Sequence, residues 1–250
     1  MGPNREHARR EPFPGDPVAH TVAGTDADQL TVAGAGADLS RMQLRSDSFK
    51  DGDFLPTRYA FGKTSAEGQI DLSGNRNPHL TWSQLPEGTK SVAVICVDSD
   101  VPTKPDDVNQ VGRVVPSDLP RTEFSHWVLI DLAPDSSIAE GAFSDGITPK
   151  GKEGPRGPGG TRQGVNDYTG WFAGDPDMAG EYYGYDGPCP PFNDSIVHHY
   201  RFTAYALDVE RLDVDGEFTL SDARAAMDGH VLAEASVAVK YTINPDAKEL

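Results

Sequence analysis

Apolar residues along the chain follow the two-residue period of β-strands more often than the period of helices. Residues 91–97 (SVAVICV) are continuously apolar and rich in β-branched side chains, which predicts a central strand buried on both faces. Residues 200–207 alternate in large side chains, which is typical of a strand with one buried face. The other predicted strands or extended pieces cover residues 42–46, 77–82, 127–132 and 237–243.

One segment has helical spacing. We predict a helix from Asp222 to about Ala235, with Ser221 as its N-cap and Asp222 at the positive end of its dipole. Gly229 interrupts it at a cost of about 1 kcal/mol relative to alanine. Several strands, frequent turn signals and one late helix together predict a mainly β protein, a β-sandwich with an attached helix.

The chain divides into an arm and a domain. Residues 1–41 are polar and lack either period, so we predict a flexible arm; it includes two similar decapeptides at 21–40. Residues 42–250 form the predicted β domain. Two long polar stretches, 102–123 and 150–169, interrupt the domain, and loops of this length are usually functional or mobile.

Composition narrows the classes of function. The 250 residues carry a formal net charge of −17, which argues against binding to nucleic acid or to an anionic membrane surface. The 27 aspartates against 12 glutamates fit a high-salt cytoplasm, and ordinary acidic solubility explains them equally well. No apolar stretch approaches the ~18 residues of a membrane span, and the N-terminal segment has no apolar core of a signal peptide. We therefore expect a cytoplasmic protein.

The first candidate for chemistry lies at the end of the central strand, in residues 98–102 (DSDVP). Asp98 and Asp100, two residues apart on an extended chain, face the same side. They could bind a metal, share a proton or fix a neighbouring imidazole. A solvated turn closed by Pro102 is the alternative. The X-Pro bond at Pro102 also tolerates the cis form.

Two further segments bring histidines to strand ends. His126 enters the second buried strand, where a satisfied core histidine is the alternative. Residues 187–191 (GPCPP) form a stiff loop whose chain N–H groups come only from Gly187 and Cys189. His198 and Tyr200 follow that loop. Imidazolium and phenol groups could donate to a small anion while carboxylates hold the imidazoles in place.

These segments resemble a known family. Residues 98–102 resemble its D-x-D-x-P motif, 125–129 (SHWVL) its histidine strand, and 187–191 with 198–202 (HHYRF) its G-P-C-P-P…H-R-Y block. The chain is thereby identified as a member of the phosphatidylethanolamine-binding proteins, in the bacterial and archaeal Raf-kinase-inhibitor-like branch. The resemblance covers residues 42–245, including the late helix.

The resemblance implies a β-sandwich of two antiparallel sheets with a shallow anion pocket for phosphate or phosphoethanolamine-like headgroups, sometimes acetate or cacodylate. It also implies a cis bond before Pro102. By motif, the pocket would be lined by Asp98, Asp100, Pro102, His126, Gly187, Cys189, Pro190, His198 and Tyr200.

The sequence departs from the family pattern at several points. The interval from Pro191 to His198 is one residue longer than expected, and His199 replaces the usual arginine. The insertion 103–123 is long and could form a lid or a dimer contact.

Three classes of function follow. The first is a non-catalytic module that binds a small anionic or phosphorylated ligand, without a cofactor or resident metal and with homodimerisation possible. The second is an inhibitor or regulator of a partner kinase or protease, which rests on fold-level analogy. The third is a hydrolase that uses Cys189 or a metal held by Asp98, Asp100, His126 and His198. No GxSxG nucleophile motif occurs.

Overall fold

The computed structural model describes residues 42–250. The predicted arm, with its internal repeat, lies outside the described residues. Within them the fold is mainly β, and strands and helices occur in this order: β1 Gln43–Arg45, β2 Gly62–Thr64, β3 Ile70–Leu72, β4 Thr81–Ser83, β5 Ser91–Pro102, β6 Arg121–Leu132, β7 Arg162–Gln163, α1 Tyr168–Trp171, β8 His198–Leu207, α2 Leu220–Met227 and β9 Val231–Tyr241. Short 3₁₀ turns lie at Thr57–Tyr59 and Pro158–Gly160.

The main sheet has five antiparallel strands in the order β7-β6-β5-β8-β9. Its register sets Cys96 of β5 opposite Trp127 of β6 and Phe202 of β8. Two small antiparallel sheets, β1-β4 and β2-β3, complete the strand structure. The predicted fold, a β-sandwich of antiparallel sheets with a C-terminal helix and long loops, is confirmed.

Strand β5 is buried on both faces, as its continuous apolar run predicts. Val94 and Cys96 belong to the core that also holds Leu44 and Trp82 of the small sheet β1-β4. The alternate residues, such as Ile95, face a second core closed by helix α2. Each fully buried aliphatic side chain of this size contributes about 1.5–3 kcal/mol, so packing on both faces stabilises the sheet between the two cores.

Helix α2 is shorter than the sequence predicts. Its N-cap is Thr219, not Ser221: Thr219 and Asp222 bond to each other's chain N–H groups in a capping box. The helix ends at Met227, and Gly229 adopts a left-handed φ of +77°. The chain then enters β9, which pairs with β8 along its whole length. Tertiary pairing therefore overrides the helical spacing after Met227.

The expected cis bond at Pro102 is also wrong. Strand β5 extends through this proline, with Pro102 opposite Arg121 of β6. In residues 42–250 the one cis bond is Gly154–Pro155. The extended trans chain is what keeps Pro102 in strand register.

No helix within residues 42–250 is long and apolar enough to cross a membrane.

Candidate functional site

Three neighbouring strands bring the predicted polar residues to one end of the main sheet. Asp98 of β5 lies opposite Phe124 of β6 and Tyr200 of β8. The ring of His126 lies 5.1 Å from that of Tyr200, centroid to centroid. Asp98, His126 and Tyr200 are 2%, 3% and 1% exposed, so polar groups are concentrated in a nearly dry environment.

Four side chains of alternating charge extend from this cluster, and we call them the charge ladder: Asp98, His198, Asp194 and Arg121. Asp98 Oδ2 lies 2.8 Å from His198 Nδ1, and Asp194 Oδ2 lies 3.0 Å from His198 Nε2. Arg121 then donates to both oxygens of Asp194, at 2.6 and 3.1 Å. The four groups carry two negative and two positive charges, so the buried ladder is neutral as a whole.

The ladder sets the protonation of its members. Burial alone would lower the pKa of His198, but Asp98 and Asp194 outweigh burial and raise it to about 9. Burial alone would raise the pKa of Asp98 and of Asp194. His198 outweighs burial at Asp98, and His198 with Arg121 outweighs it at Asp194, so both pKa values are lowered. His198 is therefore an imidazolium at neutral pH, between two ionised carboxylates.

His126 is held in the opposite state. Its Nδ1 lies 2.7 Å from the carbonyl oxygen of Asp186, so Nδ1 is the protonated nitrogen. Burial lowers the pKa of His126, although the Asp98 carboxylate opposes the shift. At neutral pH the ring is uncharged and Nε2 is an acceptor. The anion-donating imidazolium expected from the sequence is thus not present at His126 at neutral pH.

Asp186 is the buried support of His126. Its carboxylate accepts hydrogen bonds from Asn75 (2.7 Å) and Asn166 (2.8 Å), and Lys152 Nζ lies 3.0 Å away. The chain N–H of Asp186 donates to the carbonyl of His126 at 3.0 Å. Because all these groups are satisfied, the imidazole is fixed in both position and tautomer.

Two phenols complete the cluster. Tyr200 Oη is buried and makes no well-aligned hydrogen bond with residues 42–250, although the neighbouring Asp98 carboxylate contributes to the raised pKa of the phenol. Tyr168 Oη donates to the carbonyl of Gly187 at 2.7 Å, and its ring lies edge-on to His126 at 5.5 Å. Burial raises the pKa of both tyrosines, so both keep their O–H protons. Tyr200 is therefore an unused donor in the cluster.

The loop 187–191 is tied down by its backbone. The N–H of Gly187 donates to Asn75 Oδ1 at 2.8 Å, so it is not free to bind an anion, contrary to the sequence-based expectation. A Cβ at Gly187 would lie 2.0 Å from the carbonyl oxygen of Tyr59, which explains the glycine. Pro188 accepts two chain hydrogen bonds through its carbonyl, and Pro190 is buried.

Cys189 is a poor nucleophile in this setting. Burial raises the pKa of its thiol to about 12, so the thiolate is scarce at neutral pH. Its Sγ lies against Gly62, where even a Cβ would come within 2.4 Å of the sulfur. The side chain thus acts as an apolar filler between the loop and β2.

Asp100 and Pro102 lie at the edge of the cluster. Asp100 Oδ2 lies 2.8 Å from His199 Nδ1 and accepts the His199 N–H, also at 2.8 Å. Both side chains of this pair are partly exposed. Asp98 and Asp100 therefore do not share a proton: each fixes a different imidazole, which is the third of the roles considered above.

The residues also give no ready metal centre. Within residues 42–250 no three His, Cys, Asp or Glu side chains are grouped so that they could hold a metal ion. Both nitrogens of His198 already face carboxylates, and Nδ1 of His126 is bonded to Asp186. Among the four metal ligands suggested by the sequence, only His126 has a ring nitrogen, Nε2, that makes no hydrogen bond with residues 42–250.

The insertion is fastened beside the site. Asn193 Nδ2 donates to the carbonyls of Asp107, Gln110 and Arg113 at 2.8, 3.2 and 3.1 Å. Arg121, at the end of the insertion, bonds the carbonyl of Pro116 at 2.8 Å. The insertion is thus anchored to the segment that carries Asp194.

Two surface hollows lie elsewhere. One is lined by Arg156, Arg162 and Arg211, the other by carboxylates with His230, and both include Asp215. In neither does a buried polar group lack a partner, whereas Tyr200 Oη does at the sheet end. We therefore place the candidate site around His126 and Tyr200.

The protein is thus a β-sandwich with a buried acid–histidine cluster at one end of its main sheet, and known proteins share this fold. The family model of phosphatidylethanolamine-binding proteins matches residues 45–242, and the chain belongs to this family. It is 32% identical to the UPF0098 protein YbhB of Escherichia coli, over 80% of this chain and all of that protein.

Solved structures agree with this assignment. The phosphatidylethanolamine-binding protein homologue CT736 of Chlamydia trachomatis matches with a TM-score of 0.54 and 29% identity, covering 80% of this chain and 96% of that one. YbcL of E. coli matches with a TM-score of 0.56 and 27% identity, covering 81% and 98%. The predicted membership of the bacterial branch is confirmed.

The sequence analysis did not identify four residues of the cluster: Arg121, Tyr168, Asp186 and Asp194. Asp186 had a usable signal, since it is a lone carboxylate between tyrosines and the GPCPP loop. Asp194 lies four residues before His198, within the interval that is one residue longer than expected. Arg121 and Tyr168 lie in the long polar stretches, where no period indicates which side chains are buried.

Proposed function

We propose that this member of the phosphatidylethanolamine-binding protein family is a non-catalytic binding module that takes phosphate or a phosphorylated headgroup. The observation that carries the proposal is the buried, unpartnered hydroxyl of Tyr200 beside His126. A buried polar group without a partner costs about 1–3 kcal/mol, and a ligand oxygen would supply that partner.

The surroundings favour a small ligand. Phe124 and Cys189 are only partly buried at the rim, while the polar groups lie behind them. Asp98 and Asp186 are held by other residues, so the cluster needs little reorganisation when a ligand enters. O-phosphoethanolamine, the free monoester of the headgroup in the family's name, carries such a small phosphate group.

Catalysis is the weaker alternative. The Cys189 thiol has a raised pKa, and the neutral His126 is fixed through Nδ1 by a carbonyl, without a carboxylate partner. The cluster thus contains no activated nucleophile of the kind that hydrolysis needs.

The test is calorimetric titration with inorganic phosphate and O-phosphoethanolamine, on the wild type and on His126→Ala. We expect saturable binding to the wild type and at least tenfold weaker binding to the variant. His230→Ala is the control, because it removes another imidazole with a hydrogen-bonded Nδ1, that of His230 beside Asp208, at the opposite end of β8 from His198. Equal affinity in wild type and His126→Ala would remove His126 from the site.

A further inference from the structure

The distances in the site indicate which of its groups donate hydrogen bonds and which accept them. Both nitrogens of His198 lie within 3.0 Å of carboxylate oxygens, which can only accept, so both nitrogens must carry protons. Asp194 in turn is neutralised by Arg121. The second carboxylate therefore stabilises the imidazolium form of His198, because each ionised carboxylate accepts one of its two N–H protons.

Asp98 is consequently held as a charged acceptor. Its Oδ2 faces His198 and its Oδ1 accepts the chain N–H of Asp100 at 2.8 Å. A carboxylate has about four lone-pair positions, so acceptor capacity remains. The charged groups around it are His198 from β8, Asp194 and Arg121 behind His198, and Asp100 with His199 on the outer side.

The other two groups are one acceptor and one donor. His126 Nε2 has a lone pair, because the proton of the ring lies on Nδ1 toward Asp186. Tyr200 offers an O–H that makes no well-aligned hydrogen bond with residues 42–250 and could turn from the neighbouring Asp98 toward a ligand. The site thus presents two acceptors, Asp98 and His126, and one donor, Tyr200.

We propose, resting on the binding function above, that the site takes phosphate in its singly charged, protonated form and rejects sulfate. The phosphate hydroxyl donates to Asp98, and a second oxygen accepts from Tyr200. Inorganic phosphate has a further hydroxyl for His126 Nε2. Sulfate has the same shape but no proton at neutral pH, so its oxygens would meet the Asp98 carboxylate with no hydrogen between them.

The test compares phosphate with sulfate by calorimetry, at about pH 5.5 and about pH 8, values chosen on either side of the second ionisation of phosphate groups. We expect phosphate to bind at least tenfold more tightly than sulfate at the lower pH. At the higher pH, phosphate binding should take up about one proton per ligand, measured from the heats in two buffers of different ionisation enthalpy.

Asp98→Asn tests the residue itself. An amide removes the charge and can donate to a sulfate oxygen, so the preference for phosphate should fall below threefold. Asp208→Asn is the matched control, since it makes the same change in the Asp208–His230 pair at the other end of β8, where Oδ1 lies 2.8 Å from Nδ1. It should keep the preference of the wild type.

The outcomes are distinguishable. Equal binding of phosphate and sulfate by the wild type, or phosphate binding at the higher pH without proton uptake, would overturn this inference and leave the proposed function standing. Failure of phosphate to bind at either pH would remove the proposed function and the inference together. If Asp98→Asn does not fold, the two wild-type measurements still decide.

Discussion

Asp98 and His198, one hundred residues apart in sequence, form a buried ion pair across the β5-β8 pairing, with Oδ2 2.8 Å from Nδ1. The pair is continued by Asp194 on the other side of the same imidazole. Removing either partner leaves a charge in a nearly dry environment, so the pair is a structural element as well as part of the candidate site.

Stability should fall at alkaline pH. The pKa of His198 is raised from 6.5 to about 9, so its contribution is fully present below about pH 6.5 and is lost as pH rises through 9. The loss should approach roughly 3 kcal/mol. Urea unfolding between these pH values measures it, and His198→Gln, which cannot titrate, should show a flatter profile. A wild-type profile as flat as that of the variant would contradict the raised pKa.

Removing the buried carboxylate of Asp194 should destabilise the protein more than removing a carboxylate from an exposed ion pair. Asp194→Ala leaves His198 and Arg121 with unbalanced buried charge, and we expect a loss of about 3–5 kcal/mol. Glu249→Ala is the control: Glu249 pairs with Lys240 at 3.0 Å but is half exposed, so its loss should cost less than about 1 kcal/mol. Similar unfolding midpoints for the two variants in urea would show that the ladder does not contribute as argued.

Asn75 should link the loop 187–191 to the buried support of His126. Its Nδ2 donates to Asp186 and its Oδ1 accepts from Gly187, while its own φ is +45°. Asn75→Ala loses the bonds and strains the backbone, whereas Asn75→Gly loses only the bonds.

We expect losses in the free energy of unfolding of about 3 kcal/mol for Asn75→Gly and about 1 kcal/mol more for Asn75→Ala. Both variants should also bind phosphate less tightly, because Asp186 would no longer hold His126 rigidly. Wild-type phosphate affinity in a folded Asn75→Gly protein would show that this support does not reach the site.

The N-cap of α2 can be checked directly. Thr219→Ala should cost about 1 kcal/mol, because Thr219 caps the helix, and Ser221→Ala should stay within about 0.5 kcal/mol. Thermal or urea unfolding of the two variants gives the comparison. The reverse order would restore Ser221 as the cap.

Cys189 should be unreactive in the folded protein. Since burial raises its pKa to about 12, alkylation by iodoacetamide at about pH 8 should be at least tenfold slower than in urea. Cys189→Ser should retain phosphate affinity within about threefold. Rapid alkylation of the native protein, located at Cys189 by mass spectrometry, would revive the hydrolase alternative.

Most of the fold could be predicted from the pattern of apolar residues in the strands. The apolar run at 91–97 predicted a strand buried on both faces, and the alternation at 200–207 predicted β8, because both patterns are local. The boundary between α2 and β9 could not be predicted in this way. Residues 228–236 suit helical spacing, and only pairing with β8, a non-local interaction, turns them into a strand.

The site was predictable to the extent that motifs contain it. The structure brings Asp98, His126, His198 and Tyr200 to the same end of the main sheet. Their protonation states could not be read from sequence, because they depend on Asp186 and Asp194, whose distances to the imidazoles arise only on folding. His126 is thereby neutral at neutral pH, whereas His198 is charged.

The backbone anchoring of the loop 187–191 has a consequence for how such a protein can diverge. Gly187 has no room for a Cβ, Pro190 is buried, and the half-buried Cys189 packs its sulfur against Gly62. Most substitutions in this segment would reduce the yield of folded protein before they altered recognition. New selectivity is thus more readily acquired on the insertion beside it, where Val111 and Val114 are exposed and changes are tolerated. In a mutational scan, residues 187–191 should therefore be intolerant of substitution, and the insertion 103–123 should be the variable part of the molecule.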